Sequence, residues 1–234
     1  MCYNMMALIG WCILDFIYRD ELIAVCIKPA GVLSTDEPGG MPSLVREALG
    51  EPCVRTVHRL DRVVSGLMLL ALSSEAASAV SREIMSGGFR KEYLAVLHGR
   101  PAEASATLRD LLARDKRERK TYVAEAPGKG VQEAALKYSL LAEEKGLSLV
   151  KIELLTGRTH QIRAHLSHIG HPLLGDEKYG NQKLNRRYGM KRQALYAYSL
   201  ALCFTSPAGS LEYLNGRVFT VGEVWFAKDN RIHI

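Results

Sequence analysis

A chain of 234 residues, 47% hydrophobic and 24% charged, is long enough to bury a core of its own and too apolar for a disordered tail. Its formal net charge of +6 and pI near 9.1 lean toward an anionic partner such as nucleic acid. The cysteines, Cys2, Cys12, Cys26, Cys53 and Cys203, are odd in number and include no CxxC pair, which argues against a disulfide framework or thiolate zinc site and for a reducing, cytoplasmic compartment.

No charge precedes Asp15, and the apolar run 5–14 is too short to cross a bilayer and lacks the basic flank of a secretory signal. Residues 1–14 therefore read as a leading strand or an N-terminal extension, with no membrane association. "LIAVCIKPAGVLS" (22–34) reads as a β-branched strand stopped by Pro29 and Gly31, and "SLVREALG" as a short helix ended by Gly50. The unbroken apolar run "GLMLLALS" (66–73) predicts a strand buried on both faces, with Gly66 permitting close backbone approach at its start. Ser74 is the expected cap of a helix that places Ala76, Val80 and Ile84 on one face and ends at Gly87-Gly88. "KEYLAVLHGR" (91–100) reads as a strand, and Lys145-Gly146 as the turn of a hairpin joining 134–144 to 147–157. A helix follows in "THQIRAHLSHIG" (159–170), with Thr159 as cap, Ile162, Leu166 and Ile169 on one face, and His160 and Arg163 on a more polar one. "QALYAYSLALCF" and "LEYLNGRVFTV" read as closing strands. Strands predominate and helices are scattered among them. That pattern predicts an α+β fold, a mixed, mostly antiparallel sheet with flanking helices, and one domain over 15–234.

Asp61 lies between Arg59 and Arg62, just before the buried strand. Local sequence leaves two readings open: an ion-pair node, or a carboxylate held ionised to attack an electrophilic carbon or stabilise positive charge. His160, His165, His168 and His171 raise the question of zinc, yet no H-E-x-x-H arrangement is present, and local packing is the better account. Arg158 and Arg163 can hold a carboxylate bidentately or clamp phosphate. Tyr93 is either a core residue or a base-stacking platform. Basic runs at 113–122 and 178–192 are either solvated loops or phosphate contacts.

Taken in order, four segments resemble the RluA-type family of pseudouridine synthases: "KPAGVLS" at Lys28, "HRLDRVVSGLMLLA" at His58, "KEYLAVLHG" at Lys91 and "GRTHQIRAHLSHIGHPLLGDEKYG" at Gly157. A weaker fifth match is "RQALYAYSLALCFTSP" at Arg192. The resemblance covers roughly residues 14–226 and departs from the family pattern at Val64, usually Thr, and Tyr196, usually His. It implies a pseudouridine synthase catalytic domain over 15–234 with a central RNA-binding cleft and no S4-like domain. It also implies isomerisation of uridine in ribosomal or transfer RNA, by a monomer that uses neither cofactor nor metal. Carried over residue by residue, Asp61 is the catalytic aspartate, Arg163 its charge partner, and Tyr93 the residue that stacks on the base. Leu195 packs on the base from the other side, and Arg59, Arg62, Arg158, His160, Lys178 and Arg192 contact the RNA.

Overall fold

The computed structural model describes residues 5–9, 12–190 and 192–228. The chain forms two compact units, one from Met1–Lys91 and Ala197–Val221, the other from Glu92–Tyr196 and Gly222–Ile234. The expected extension over 1–14 lies partly outside the described residues. Of the remainder, β1 (Met5–Ile9) pairs antiparallel with β2 (Cys12–Arg19).

In the first unit, β2 pairs with β3 (Ile23–Lys28), and β3 pairs antiparallel with β5 (Ser65–Ala71). The two-residue β4 (Arg55–Thr56) also pairs with β5. All seven residues of β5 are buried, as the continuous apolar run requires for a strand covered on both faces. Helix α1 (Met41–Leu49), with Pro42 in its first turn and Gly50 left-handed at its end, packs Met41, Leu44 and Val45 into a core with Leu14, Phe16, Cys26, Met68 and Leu70. Gly66 has φ of +128°, and a Cβ there would lie 2.3 Å from the carbonyl oxygen of Ala197 in β11 (Leu195–Leu202). Glycine is what lets the two backbones approach.

Two expectations in this unit need correction. Helix α2 (Ser74–Ser86) is capped by Ser73, not Ser74: Ser73 is extended and its hydroxyl accepts the Ala76 N–H at 3.0 Å. "LEYLNGRVFTV" is not one strand. A 3-10 helix, Gly209–Leu214, takes its first half, and only β12 (Val218–Thr220) pairs with β11. Gly209 and Gly216, both at positive φ, bracket the turn structure between them.

In the second unit, β7 (Ser105–Asp115) pairs antiparallel with both β8 (Lys120–Ala124) and β9 (Val131–Glu144), and β9 pairs with β10 (Leu147–Leu154). The Lys145-Gly146 turn falls where expected, with both residues at positive φ. The basic run 113–122, which composition leaves open as a solvated loop, is a hairpin. Its turn is held by Asp115, whose carboxylate accepts the N–H groups of Arg117 and Glu118 at 2.7 and 3.0 Å. In helix α3 (Gln161–His168) the N-cap position is held by His160, left-handed and without a side-chain capping bond, and not by Thr159. Residues 161–166 are all buried, Arg163 among them, so the more polar face of this helix is enclosed as well. Strand β6 (Phe89–His98) begins in the first unit and ends in the second, and β11 runs the opposite way between them along the chain. The resulting α+β architecture has a largely antiparallel sheet flanked by helices, as the sequence predicts.

Candidate functional site

Asp61 sits half-buried on a loop of the first unit, where its carbonyl accepts the Val64 N–H at 3.0 Å and closes a turn ahead of β5. The loop is fixed at several points. Gly31 N–H donates to the Arg62 carbonyl at 2.7 Å, and Arg62 Nε returns a bond to the Gly31 carbonyl at 3.0 Å. The buried Ser34 hydroxyl donates to the Leu60 carbonyl at 2.8 Å and accepts the Leu60 N–H at 3.1 Å. His58 is buried against the Phe89 ring, and its Nε2 accepts the Leu69 N–H at 3.0 Å. Burial, reinforced by Lys91, lowers the His58 pKa to about 3, so this histidine is a neutral structural acceptor.

Beneath the loop lies Lys28, with no exposed surface. Its ammonium donates to the carbonyls of Val32 at 2.7 Å, Pro29 at 2.9 Å and Arg62 at 3.2 Å. Burial lowers its pKa to about 8, opposed by the negative charge of Asp61 and assisted by the positive charge of Arg62. The loop therefore has a cation behind its carboxylate, and that cation is neither of the two arginines adjacent in sequence. Arg59 and Arg62 are exposed, and Arg62 directs its Nε to Gly31. Val64 is buried at 3% exposure, where a side chain with no hydroxyl leaves no polar group to satisfy.

The other candidates lie in the second unit. Arg163 forms a two-pronged ion pair with Asp176, Nε to Oδ2 at 2.7 Å and Nη2 to Oδ1 at 2.8 Å. Asp176 is itself fixed: Oδ1 accepts the N–H groups of Lys178 and Tyr179 at 2.9 and 3.0 Å, and its carbonyl accepts from Asn185 Nδ2 at 3.0 Å. Asn185, the one buried residue of α4 (Gln182–Arg187), also accepts the Gly175 N–H at 2.9 Å. Gly175 is required there, since a Cβ would fall 2.0 Å from the Arg192 carbonyl oxygen.

Arg163, His160 and Lys178 gather around the Tyr179 segment. The Arg163 guanidinium lies 4.8 Å from the Tyr179 ring centre, and His160 Nδ1 is 3.0 Å from its hydroxyl. Tyr93 is buried in β6 and Leu195 is buried at the start of β11. Arg158 is exposed, with Nε bonded to the Glu133 carbonyl at 3.0 Å, and Arg192 stacks over Trp225 at 4.8 Å.

In the histidine run, His160 and His171 are hydrogen-bonded locally, while neither ring nitrogen of His165 has a hydrogen-bond partner. His165 is fully buried with Nε2 3.8 Å from Asp110, and burial lowers its pKa. His171 Nδ1 donates to the His98 carbonyl at 3.1 Å. No group of three or more His, Cys, Asp or Glu side chains gathers among the described residues.

Sequence reasoning missed Lys28, Asp176 and Tyr179 as members of the candidate site. The only signal for them was their place inside the "KPAG" and "GDEKYG" segments, where nothing local reveals which charge each one meets.

Residues 22–168 match the model of the RNA pseudouridylate synthase family. The chain is 34% identical over 210 residues to the tRNA pseudouridine synthase C of Pectobacterium carotovorum, covering 81% of this chain and 55% of that protein. It is 31% identical over 204 residues to the ribosomal large subunit pseudouridine synthase D of Zymomonas mobilis, covering 80% and 64%. The chain thus spans less than two thirds of the length of either relative. The solved structure of human RNA pseudouridylate synthase domain containing 1 superposes with a TM-score of 0.71 at 26% identity, over 92% of both chains.

Proposed function

Because this chain belongs to the RNA pseudouridylate synthase family, we propose that it isomerises uridine to pseudouridine in ribosomal or transfer RNA, the two RNA classes that its relatives' names carry. In this reading it works in the cytoplasm as a monomer, without cofactor or metal.

The reaction breaks the N1–C1′ bond, turns the uracil and joins C5 to C1′. The C5 proton leaves and N1 gains one, so nothing is added or lost overall. Asp61 supplies a carboxylate that attacks C1′ or removes the C2′ proton, and either step needs it ionised. The observation that carries this reading is the construction of the Asp61 loop: a half-buried carboxylate on a braced turn with the buried Lys28 ammonium behind it.

Arg163, aligned by Asp176, is the charge partner of Asp61 in the reacting complex. Tyr93 stacks on the base and assists removal of the C5 proton, while Leu195 packs on the other side. Extruding a uridine from its stack costs a few kcal/mol. Phosphate contacts from Arg59, Arg62, Arg158, His160, Lys178 and Arg192 offset that cost.

Tritium release from transcripts of transfer RNA and ribosomal RNA containing 5-tritiated uridine tests the assignment. Asp61→Asn is expected to lower release by at least about a hundredfold, the scale on which a positioned acid–base or nucleophilic group acts. Release at the wild-type rate removes Asp61 from the mechanism.

A further inference from the structure

Three parts of the second unit meet on one tyrosine that the proposed reaction does not use. The Tyr179 hydroxyl accepts the buried Thr121 N–H at 2.6 Å and so anchors the start of β8, the strand leaving the cationic turn of the β7–β8 hairpin. The same hydroxyl lies 3.0 Å from Nδ1 of His160, the residue at the N-cap position of α3. The ring lies 4.8 Å from the Arg163 guanidinium and 5.0 Å from the Lys120 ammonium. Its backbone N–H donates to Asp176, the carboxylate that holds Arg163.

Two further bonds tie the hairpin to this region. Lys178 Nζ donates to the Arg119 carbonyl at 3.2 Å, and the Thr121 hydroxyl donates to the Thr159 carbonyl at 2.9 Å. Lys116, Arg117 and Arg119 at the hairpin turn are exposed.

We propose that Tyr179 is a positioning residue that transmits engagement of RNA phosphates by the β7–β8 hairpin to the guanidinium of Arg163. The inference rests on the reading of Arg163 as a group of the reacting centre. Lys120 and Arg163 draw on one π cloud and repel each other through it. A phosphate bound at the hairpin neutralises the Lys120 side of that competition, and the ring is left to Arg163. The Thr121 anchor keeps the hairpin in register with the ring, so that binding at the turn reaches Arg163 as a change in its grip. Binding and chemistry are then linked inside one unit through packed groups, and a double-mutant cycle measures such a link.

The cycle combines Lys116→Glu/Arg117→Glu at the hairpin with Tyr179→Leu. Affinity and the single-turnover rate at saturating RNA are read separately on the tritiated transcripts. With Tyr179 present, the hairpin reversal is expected to weaken binding and also to lower the saturating rate about tenfold, within the range of measured couplings. With Leu at position 179 it should still weaken binding but change the saturating rate less than about twofold. An equal fall in saturating rate in both backgrounds, or no fall with Tyr179 present, overturns the proposal.

Should Tyr179→Leu fail to fold, Tyr179→Phe decides, since it keeps the ring and removes the hydroxyl that anchors Thr121 and meets His160. The coupling should then shrink at least about threefold, and undiminished coupling overturns the proposal. A wild-type protein that forms no pseudouridine in any transcript defeats the parent reading before the cycle begins. An active wild-type with additive variants defeats this inference alone.

Discussion

Taking the Lys28 ammonium out of water costs several kcal/mol unless carbonyl oxygens and an opposite charge replace its hydration. The loop around Asp61 supplies both, and a pKa of about 8 measures what is still missing relative to the ordinary 10.5. Between those two values the unfolded chain holds a proton that the folded chain has released, so the contribution of Lys28 to stability rises with pH across that window. Below it both states are protonated and the penalty is constant. Lys28→Met removes the slope. The difference in unfolding free energy, wild type minus variant, should climb by on the order of 3 kcal/mol from about pH 7.5 to 10.5. Denaturant titrations at several pH values check this, and a flat difference contradicts it. The sequence singles out Asp61 and Arg163 as candidates because each stands inside a long, specific motif. The groups that surround them do not stand out in the same way. Lys28 lies 33 positions before Asp61, and Asp176 lies 13 after Arg163, so only the fold could show which cation backs the carboxylate and which carboxylate aligns the arginine.

Among the elements, β5 is the one whose sequence said most. A run of seven buried residues has no alternation to misread, and the glycine within it answers to a specific neighbour, the Ala197 backbone. Gly66→Ala places a Cβ 2.3 Å from the Ala197 carbonyl oxygen and forces an L-residue to φ of +128°. Because backbone cannot yield as a flexible side chain would, the loss of stability should reach about 3 kcal/mol or more, read as a lower midpoint in urea. The elements that escaped the sequence are those whose periodicity is blurred. In β7 exposed and half-buried positions alternate over 105–110, and Arg109, Asp110 and Arg114 interrupt its apolar residues, so polarity hides the strand. The cap of α3 escaped for a different reason: His160 takes a left-handed conformation that threonine rarely adopts, and Gln161 spends its side chain on Thr156 and Ala135 instead of on the helix.

For the whole molecule, the excess of six positive charges matters less than its concentration. Arg114, Lys116, Arg117 and Arg119 project from one hairpin, and Lys183, Arg186 and Arg187 from α4. If these contact phosphate, the logarithm of RNA affinity falls linearly with the logarithm of salt. Reversing Lys116 and Arg117 to glutamate should then reduce the slope by about two. Filter binding across a salt series measures it, and an unchanged slope assigns the hairpin no phosphate contact. The fold class was legible at this scale because strand-rich patterning survives errors in individual boundaries. The division into two compact units was not, because no linker or shift in composition marks it.

That division has a consequence for how the chain is made. The first unit is interrupted: its opening segment ends at Lys91 and its remaining piece begins at Ala197, in β11, the strand that lies beside β5. A ribosome adding about 5–20 residues per second takes on the order of 5–20 s to synthesise the intervening stretch. Throughout that interval β5, beyond the two residues that β4 pairs, waits with a hydrogen-bonding edge uncovered beside its apolar run. The nascent chain is therefore most open to aggregation, and most in need of a holding chaperone, in its first half, before the strand that closes it has been translated.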